Sequence, residues 1–387
     1  MSTTTTTTTQ YVHYHDGGKP GRRPILTGSS AKPTFESVPK IDMRRIYSPH
    51  LSDRQSLAND VGAACRDVGF FYAVNHGIDE ELLDRTFDAV KRFFGLEEDV
   101  KMECHNQKTE RFRGYEGVLE GKLDPGTRGD LKEGFLMGED FTEPEQNLTP
   151  LPHLPDTQHS RNQWPSHPSA AFFRPAIYEY YNAMLSFSRR LLGIFALALE
   201  LPEDYFDTIT KHPMTNVRAV HYPPQTSPKD VGIGAHTDFC WFTLVCQSHT
   251  VNPALEVLNA NGIWVPVHHH PHSFVVNIAD FLKLITGGRW ASTVHRVRNL
   301  ASPTQSPENG GECDGHDREG SGQMEERYSL PFFFSPDEDA TVSVLEKFRE
   351  EGREYEGFVV GEYFQRRLDI DRTTHLEEGE GRRKGGY

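Results

Sequence analysis

The sequence has little that would place the protein in a membrane or in the secretory pathway. Its most apolar run, residues 191–201, is too short to span a bilayer and belongs to a longer helical pattern. The N-terminus lacks the apolar segment of a signal peptide, and residues 3–9 are an unbroken run of threonine. We therefore expect a protein without a membrane segment that resides in the cytoplasm.

Basic residues are also in the minority, since 41 Lys and Arg stand against 56 Asp and Glu, for a formal net charge of −15. The sequence has no block of Lys and Arg that would form the positive surface needed for nucleic acid, so we expect no nucleic-acid partner. The five cysteines are scattered and never occur in CxxC spacing. This pattern predicts free thiols rather than a disulfide framework or a zinc site.

Residue patterns divide the chain into a helical half and a β-rich half. Apolar residues recur at helical spacing in residues 52–68, 79–94 and 169–200, whereas residues 103–168 are polar and irregular, as in a functional loop system. After residue 214, several short β-type runs alternate with turns, which is typical of a sandwich or barrel. We therefore predict an α+β protein built around one all-β core.

Domain boundaries follow from the same patterns. Composition favours a disordered tail over residues 1–33, where threonine, glycine and proline dominate, and a charged tail over residues 366–387. Between these tails we predict a helical domain with its long loop region at 34–200 and a β domain at 201–365. Residues 301–326 contain almost no large apolar side chain and are predicted to be a flexible insertion between two strands.

One short stretch of the β-rich half, GAHTDFCWFTLV at residues 234–245, carries a histidine and an acid two positions apart. Residues at this spacing on a strand point to the same side, so His236 and Asp238 can present an imidazole and a carboxylate to one point. A solvated pair on a surface strand is the ordinary alternative. The candidate third ligand is His295, in another β-type run, because two histidines with one carboxylate suit non-haem Fe(II) oxygen chemistry.

A second pair with the same spacing, Arg327 and Ser329, lies on a later β-type run. A guanidinium binds a carboxylate through two parallel hydrogen bonds, and a neighbouring hydroxyl adds a third donor. Taken alone, Arg327 can equally form an exposed ion pair. Together with the three candidate metal ligands, the pair indicates a dicarboxylate that is held here at one end and chelates iron with the other.

With these residues in place, the chain resembles the isopenicillin N synthase-like family of 2-oxoglutarate/Fe(II)-dependent dioxygenases. In the first half the resemblance rests on VPKID (38–42), GAACRDVGFFYAVNHGI (62–78) and AVKRFFGLEEDVK (89–101). In the second half it rests on HYPP (221–224), HTDFCWFTLVCQ (236–247), GIWVPV (262–267), FVVNIAD (274–280), TGGRWASTVHRV (286–297) and RYSLPFFFSP (327–336). These motifs follow the family's order and cover residues 38–365.

The resemblance implies a fold and a site. The family fold is a distorted double-stranded β-helix, or jelly roll, flanked by helices. The positions that match the family's iron ligands are His236, Asp238 and His295. Those that match its 2-oxoglutarate contacts are Arg327, Ser329 and Tyr222. The chain departs from the family pattern in two ways, since the run before Pro223 lacks the usual asparagine and the insertion widens the spacing between His295 and Arg327.

The resemblance also implies a reaction that uses Fe(II), 2-oxoglutarate and O2. In that reaction succinate and CO2 are released while a C–H bond of a small organic molecule is hydroxylated, desaturated, cyclised or used for ring expansion, as in specialised metabolism. Two alternatives stay open. One is an isopenicillin N synthase-type Fe(II) oxidase that does not consume 2-oxoglutarate, and the other is a ligand-binding relative without catalytic activity.

Two further sequence features bear on substrate and metal binding. Phe239 and Trp241 follow Asp238 by one and three positions, so they are candidates for lining the substrate entrance. The histidine-rich run at 268–272 resembles a metal cluster, but its position between two β-type runs predicts a turn. No pattern predicts self-association, and a monomer that binds a small-molecule substrate is the default expectation.

Overall fold

The computed structural model describes residues 10–16, 19–109, 111–121, 129–146, 161–224, 231–298 and 325–367. Its helices are α1 (Leu51–Asp67), α2 (Glu80–Phe94), α3 (Glu98–Met102), α4 (Phe173–Ala198), α5 (Asp280–Ile285) and α6 (360–367). Its strands are β1 (Tyr11–Asp16), β2 (Lys19–Pro24), β3 (Lys40–Asp42), β4 (Phe70–Val74), β5 (Gly114–Glu116), β6 (Glu133–Gly138), β7 (Pro213–Tyr222), β8 (Ile233–His236), β9 (Phe242–Gln247), β10 (Leu255–Leu258), β11 (Trp264–Pro266), β12 (Phe274–Ile278), β13 (His295–Val297), β14 (Arg327–Asp337), β15 (Thr341–Val342) and β16 (Phe358–Val359).

Two large sheets form the centre of the molecule. The first has eight strands in the order β3-β4-β12-β9-β14-β7-β6-β5, and the second has six in the order β11-β10-β13-β8-β1-β2. Valines of both sheets, among them Val220, Val257, Val275 and Val297, join one buried cluster, so the sheets face each other. This arrangement confirms the predicted α+β class with a double-stranded β-helix core.

Three helices cover the outer face of the eight-stranded sheet. Helices α1 and α2 each pack against α4, and α2 and α4 also contact β7 and β14. Their apolar faces and the outward side chains of the sheet, such as Leu244 and Phe332, form the larger buried cluster. The helical spacing predicted for residues 79–94 is confirmed by α2, which begins directly after Asp79. The Asp79 carboxylate accepts a hydrogen bond from the Glu81 amide at 3.2 Å and caps the helix.

The predicted disordered tail over residues 1–33 is wrong for residues 11–16 and 19–24. These residues form the antiparallel hairpin β1–β2, and β1 pairs in parallel with β8. Glycine and proline in this segment are not typical of strands, but Gly21 is required by the packing of the hairpin. It lies directly under the ring of Tyr14, where a Cβ atom would be only 2.6 Å from that ring. Without the hairpin, β8 would be an edge strand, so its backbone groups supply the partners that a short polar hairpin needs.

The predicted division at residue 200 cuts through a shared sheet. Strands β3, β4, β5 and β6 of the first half lie in the same sheet as β7, β9, β12 and β14 of the second half. The sequence pattern missed β5 and β6, which lie within the stretch predicted to be loops, because three-residue strands and a glycine-containing strand carry little periodicity.

Two of the predicted segments fall mostly outside the described residues. The insertion at 301–326 does so except for its last two residues, and the charged tail at 366–387 does so except for the two that end α6. Within the described ranges, no helix combines the length and the apolarity needed to cross a bilayer.

Candidate active site

Two histidines and an aspartate converge on one point. Nε2 of His236 lies 3.4 Å from Oδ1 of Asp238, and Nε2 of His295 lies 3.6 Å from the same oxygen. One ligand atom from each residue lies within 4.8 Å of the others, and no second group of three such side chains occurs among the described residues. The two histidines face each other in register on β8 and β13, so the pairing of these strands brings together positions that are far apart in sequence.

Each histidine is oriented by its other ring nitrogen. Nδ1 of His236 lies 2.7 Å from the Gly234 carbonyl, and Nδ1 of His295 lies 3.2 Å from the Thr293 carbonyl. In a neutral imidazole these contacts place the proton on Nδ1 and leave the Nε2 lone pair facing the shared point, as a metal ligand requires. Burial, helped by the neighbouring His236, lowers the pKa of His295 to about 4, so this ring is neutral near pH 7.

The Asp238 carboxylate is fixed by two uncharged side chains. Its Oδ2 accepts hydrogen bonds from Thr243 Oγ1 at 2.5 Å and from Asn277 Nδ2 at 2.8 Å. Burial raises the pKa of Asp238, but the two facing histidines lower it by more, so the net shift is downward. For His236 the net shift is upward, because burial lowers its pKa but the Asp238 carboxylate raises it by more. The site therefore holds an ionised carboxylate between two imidazoles.

Asp238 does not reach the histidines by strand alternation, as its spacing from His236 predicts. Strand β8 ends at His236, so Asp238 lies in the following turn rather than on the same strand. The turn is held by the Thr237 amide, which donates to the His15 carbonyl at 3.1 Å, and by the Asp280 amide, which donates to the Asp238 carbonyl at 3.0 Å. The Thr237 hydroxyl also donates to the Asp280 carboxylate at 3.1 Å. Turn geometry, not strand alternation, brings the carboxylate to the histidines.

Arg327 has a buried guanidinium, and not all of its N–H groups donate a hydrogen bond within the described residues. The residue is 3% exposed, its Nη2 donates to Gln247 Oε1 at 3.2 Å, and its guanidinium lies 4.8 Å from the centre of the Tyr222 ring. Nη1 is buried and has no hydrogen-bond partner among the described residues. Burial lowers the pKa of Arg327. A buried cation with a free N–H group fits a carboxylate, so this position suits one end of 2-oxoglutarate.

Ser329 and Tyr222 lie next to Arg327 in the sheet. In the pairing of β14 with β7, Arg327 is opposite Tyr222 and Ser329 is opposite Val220. Tyr222 belongs to the apolar cluster between the sheets, together with Val297 near the candidate metal ligand His295. Tyr328, on the other face of β14, stacks on His221 with 4.6 Å between ring centres. The sequence-based grouping of Arg327, Ser329 and Tyr222 on one face thus agrees with the strand register.

The two residues expected to line the substrate entrance have different surroundings. Phe239 is half-buried, contacts Phe364 of α6 with 5.3 Å between ring centres, and lies under the Arg367 guanidinium. The prediction for Trp241 is wrong, because this side chain is 1% exposed and packs against Phe206 in the helix-side core. The chain turns between Asp238 and the start of β9, and this turn directs Trp241 toward the helices.

Comparisons with known proteins agree with this geometry. Residues 38–167 match the family model for the N-terminal part of non-haem dioxygenases of the morphine-synthesis type, and residues 213–336 match that of the 2OG-Fe(II) oxygenase superfamily. The 2-oxoglutarate-Fe(II) type oxidoreductase hxnY of Emericella nidulans is 33% identical over 313 residues, which cover 79% of this chain and 82% of that protein. The chain belongs to the 2-oxoglutarate/Fe(II)-dependent dioxygenases.

Further similarities extend over most of this dioxygenase. The 2-oxoglutarate-dependent dioxygenase citB of Monascus ruber is 32% identical over 360 residues, covering 89% of this chain and 97% of that protein. A solved 2OG-Fe(II) oxygenase family protein of Caulobacter crescentus is 27% identical with a TM-score of 0.68, covering 87% of this chain and 99% of that one. Neurospora crassa T7H, solved with 2-oxoglutarate, shares the fold at 22% identity and a TM-score of 0.71, covering 86% and 96% of the two chains. The enzyme is thus an oxidoreductase that uses Fe(II), 2-oxoglutarate and O2.

Several residues that shape the site carry no signal in the sequence. Thr243, Gln247 and Asn277 hold Asp238 or Arg327, but each is a single polar residue within an apolar strand. Only strand register shows which of them face the site. The contribution of His15 through its backbone carbonyl leaves no trace in residue type at all.

Proposed function

We propose that this dioxygenase binds Fe(II) through His236, Asp238 and His295 and holds the distal carboxylate of 2-oxoglutarate with Arg327, Ser329 and Tyr222. The observation that carries the proposal is the convergence of both Nε2 atoms on one oxygen of Asp238. Two imidazoles and one carboxylate leave part of a coordination sphere for a chelating cosubstrate and O2. The bound metal would supply the activation of O2 that C–H oxidation requires.

The side chains of the site have separate tasks in this proposal. Thr243 and Asn277 hold the Asp238 carboxylate, so it keeps one oxygen directed at the histidines. Gln247 holds one nitrogen of Arg327 and leaves Nη1 for the cosubstrate. The valines between the sheets exclude water from the reacting groups. Positioning and water exclusion are therefore the contributions of the protein to the chemistry.

The substrate proposed is a small organic molecule of specialised metabolism whose C–H bond is oxidised. Support comes from the similar proteins, since Neurospora crassa T7H has been solved with thymine, and JOX2 has been solved with 2-oxoglutarate, iron and JA. Several fungal relatives, including citB, are named as 2-oxoglutarate-dependent dioxygenases. We propose Phe239 as a residue near the entrance, because it lies between Asp238 and α6.

Anaerobic reconstitution with Fe(II) tests the proposed metal ligands. We expect one iron per wild-type chain and its loss in His236→Ala and Asp238→Ala. His268→Ala is the matched control, because His268 is an exposed residue of the histidine-rich turn and should leave the iron content unchanged. Unchanged iron content in the His236 and Asp238 variants would exclude the proposed ligand set.

Succinate measurement tests the use of 2-oxoglutarate. A panel of small molecules that includes thymine should stimulate succinate release with at least one member, and the oxidised product should form in equal amount. An oxidase that does not consume 2-oxoglutarate would instead convert substrate without succinate.

A further inference from the structure

A cluster of four charged side chains lies beside the proposed iron site. Lys132 Nζ lies 3.2 Å from Glu116 Oε2 and 3.7 Å from Asp130 Oδ2, and the Arg218 guanidinium donates to the same Glu116 oxygen. Asp130 and Lys132 are almost completely buried. The basic groups hold the pKa of the Glu116 carboxyl at about 2 although burial acts in the opposite direction. The cluster is thus a built, buried group with two acids and two bases.

Within the described part of the chain, one acceptor atom of this cluster is unsatisfied. Oδ1 of Asp130 is buried without a hydrogen-bond partner among the described residues, and Asp130 is only 1% exposed. A buried acceptor without a partner costs about 1–3 kcal/mol. Such an atom at a binding site is explained when a ligand supplies the missing donor.

The cluster adjoins the strands β8 and β7, which carry residues of the proposed active site. Asp130 forms a bridge with Val231, and the Leu131 amide donates to the Val231 carbonyl at 2.8 Å, just before the strand that ends at His236. The Asp130 carboxyl is also one of the charges that act on His236. At its other end, Arg218 shares one face of β7 with Val220 and Tyr222 by strand alternation, and both of these lie between the sheets. At Asp130 the cluster therefore adjoins the backbone that leads to His236, and at Arg218 it adjoins the face of β7 that carries Tyr222.

We propose that Asp130 binds a hydrogen-bond donor of the substrate and so selects neutral molecules that carry an N–H or O–H group, such as lactams, heterocycles or phenols. An ammonium group is disfavoured, because Lys132 and Arg218 already place two positive charges beside the two acids. The inference rests on the proposed function, since the substrate must approach the iron. Asp130 acts by direct contact with substrate, and Lys132, Glu116 and Arg218 position it.

The test uses full-length protein loaded with Mn(II) and 2-oxoglutarate, so that binding is measured without turnover. Isothermal titration calorimetry compares matched pairs of probes, namely thymine with 1,3-dimethylthymine, 2-pyridone with N-methyl-2-pyridone, and phenol with anisole. We expect wild-type protein to bind the donor member of at least one pair tenfold or more tightly than its methylated partner. Asp130→Ala should abolish this preference, whereas Asp130→Asn, which keeps an acceptor oxygen, should retain most of it.

Two controls separate recognition from stability. Glu139→Ala removes another largely buried acid, which accepts from the Thr215 amide at 2.9 Å and is not part of the cluster, and should keep the wild-type preference. Binding of 2-oxoglutarate alone is measured first, because its absence in the wild type would contradict the proposed function itself. Intact 2-oxoglutarate binding with no preference for donors, or with a preference that persists in Asp130→Ala, would overturn the assignment of Asp130.

Discussion

At the scale of single residues, the proposed iron site depends on uncharged neighbours as much as on its three ligands. Thr243 and Asn277 both donate to Oδ2 of Asp238, and this leaves Oδ1 as the oxygen nearest to both histidines. The loss of a partner that orients a metal ligand typically reduces metal affinity 10- to 100-fold. Strand neighbours therefore tune the site without contacting the metal.

Thr243→Val tests this dependence with almost no change in side-chain volume. We expect iron affinity to fall roughly tenfold, because the Asp238 carboxylate gains rotational freedom. Competition of the reconstituted protein with a chelator measures the change. Thr215→Val is the control, since Thr215 is an equally buried strand threonine whose hydroxyl meets Tyr181 instead. Equal affinities in wild type and Thr243→Val would show that the carboxylate is fixed by other contacts.

Arg327 provides a second prediction at this scale. Arg327→Gln removes the charge that faces the proposed cosubstrate carboxylate, and we expect the free energy of 2-oxoglutarate binding to weaken by about 2 kcal/mol, or roughly thirtyfold in Kd. Iron binding should persist, because the three metal ligands are untouched. Titration of the Mn(II)-loaded variant with 2-oxoglutarate measures both. A variant that binds 2-oxoglutarate normally would assign its distal carboxylate to another residue.

The candidate site was predictable from sequence only where residue type and strand spacing coincide. His236, Asp238, Arg327 and Ser329 stand in short motifs, and His295 is a histidine of a separate β-type run. Asp130 gave no such signal, because its role depends on a backbone bridge to Val231 and on the three charges around it. Trp241 was misassigned because sequence proximity to Asp238 does not fix the direction of a side chain after a turn.

At the scale of elements, the N-terminal hairpin extends the sheet that carries both proposed histidine ligands. Its strand β1 covers the edge of β8. The His15 carbonyl accepts a hydrogen bond from the amide of Thr237, the residue between the proposed ligands His236 and Asp238. Arg23 of β2 also donates to the Leu258 and Asn259 carbonyls, each at 2.8 Å. A segment with the composition of a tail thus stabilises the strand nearest to the metal.

Deletion of residues 1–26 tests the role of the hairpin. We expect faster loss of iron and a lower Tm, because β8 becomes an edge strand and the Thr237 amide loses its acceptor. Deletion of residues 1–9, which leaves both strands, serves as the control. Differential scanning calorimetry and iron release to a chelator give the two readouts. Identical iron release in the two truncated proteins would show that the turn is held without β1.

His76 connects another pair of elements and makes the fold sensitive to acid. It lies between β4 and α2, where its Nε2 donates to the His272 carbonyl at 2.9 Å and its Nδ1 accepts from the Ile78 amide at 3.1 Å. Burial lowers the pKa of His76 to about 4. The folded form therefore stays neutral where the unfolded chain already binds a proton, so stability is complete above about pH 6.5 and declines as the pH falls toward 4.

We expect the free energy of unfolding to drop by about 2 kcal/mol between pH 7.5 and pH 5 through His76. Urea denaturation of the iron-free protein at both pH values measures the drop, to which His295 adds its own share because its pKa is lowered in the same way. His76→Gln should remove the His76 part, and His268→Gln in the exposed turn should retain it. A drop of the same size in His76→Gln would assign the acid sensitivity elsewhere.

At the scale of the whole molecule, the fold class was predictable from the sequence, whereas the sheet shared by the two halves was not. The alternating β-type runs after residue 214 and the helical periodicities before it reflect faces buried on a large scale, and these survive in a single sequence. Strands β3 and β5 have three residues each, too few to show a period, and both join the sheet through backbone pairing. The shared sheet therefore depends on register, which the residue pattern does not record.

The shared sheet makes a final prediction about folding. Residues 201–387 alone should not form a stable native domain, because β12 would lose its neighbour β4 and β7 its neighbour β6. The sheet would also lose the cover of α1, α2 and α4. Side chains such as Leu244 and Phe332, now fully buried, would face water. Near-ultraviolet circular dichroism and dye binding should report an expanded or aggregating state, and iron binding should be absent. Addition of residues 34–200 as a separate chain is expected to recover some native signal, whereas cooperative unfolding and iron binding by the fragment alone would show that the jelly roll is stable without the first half.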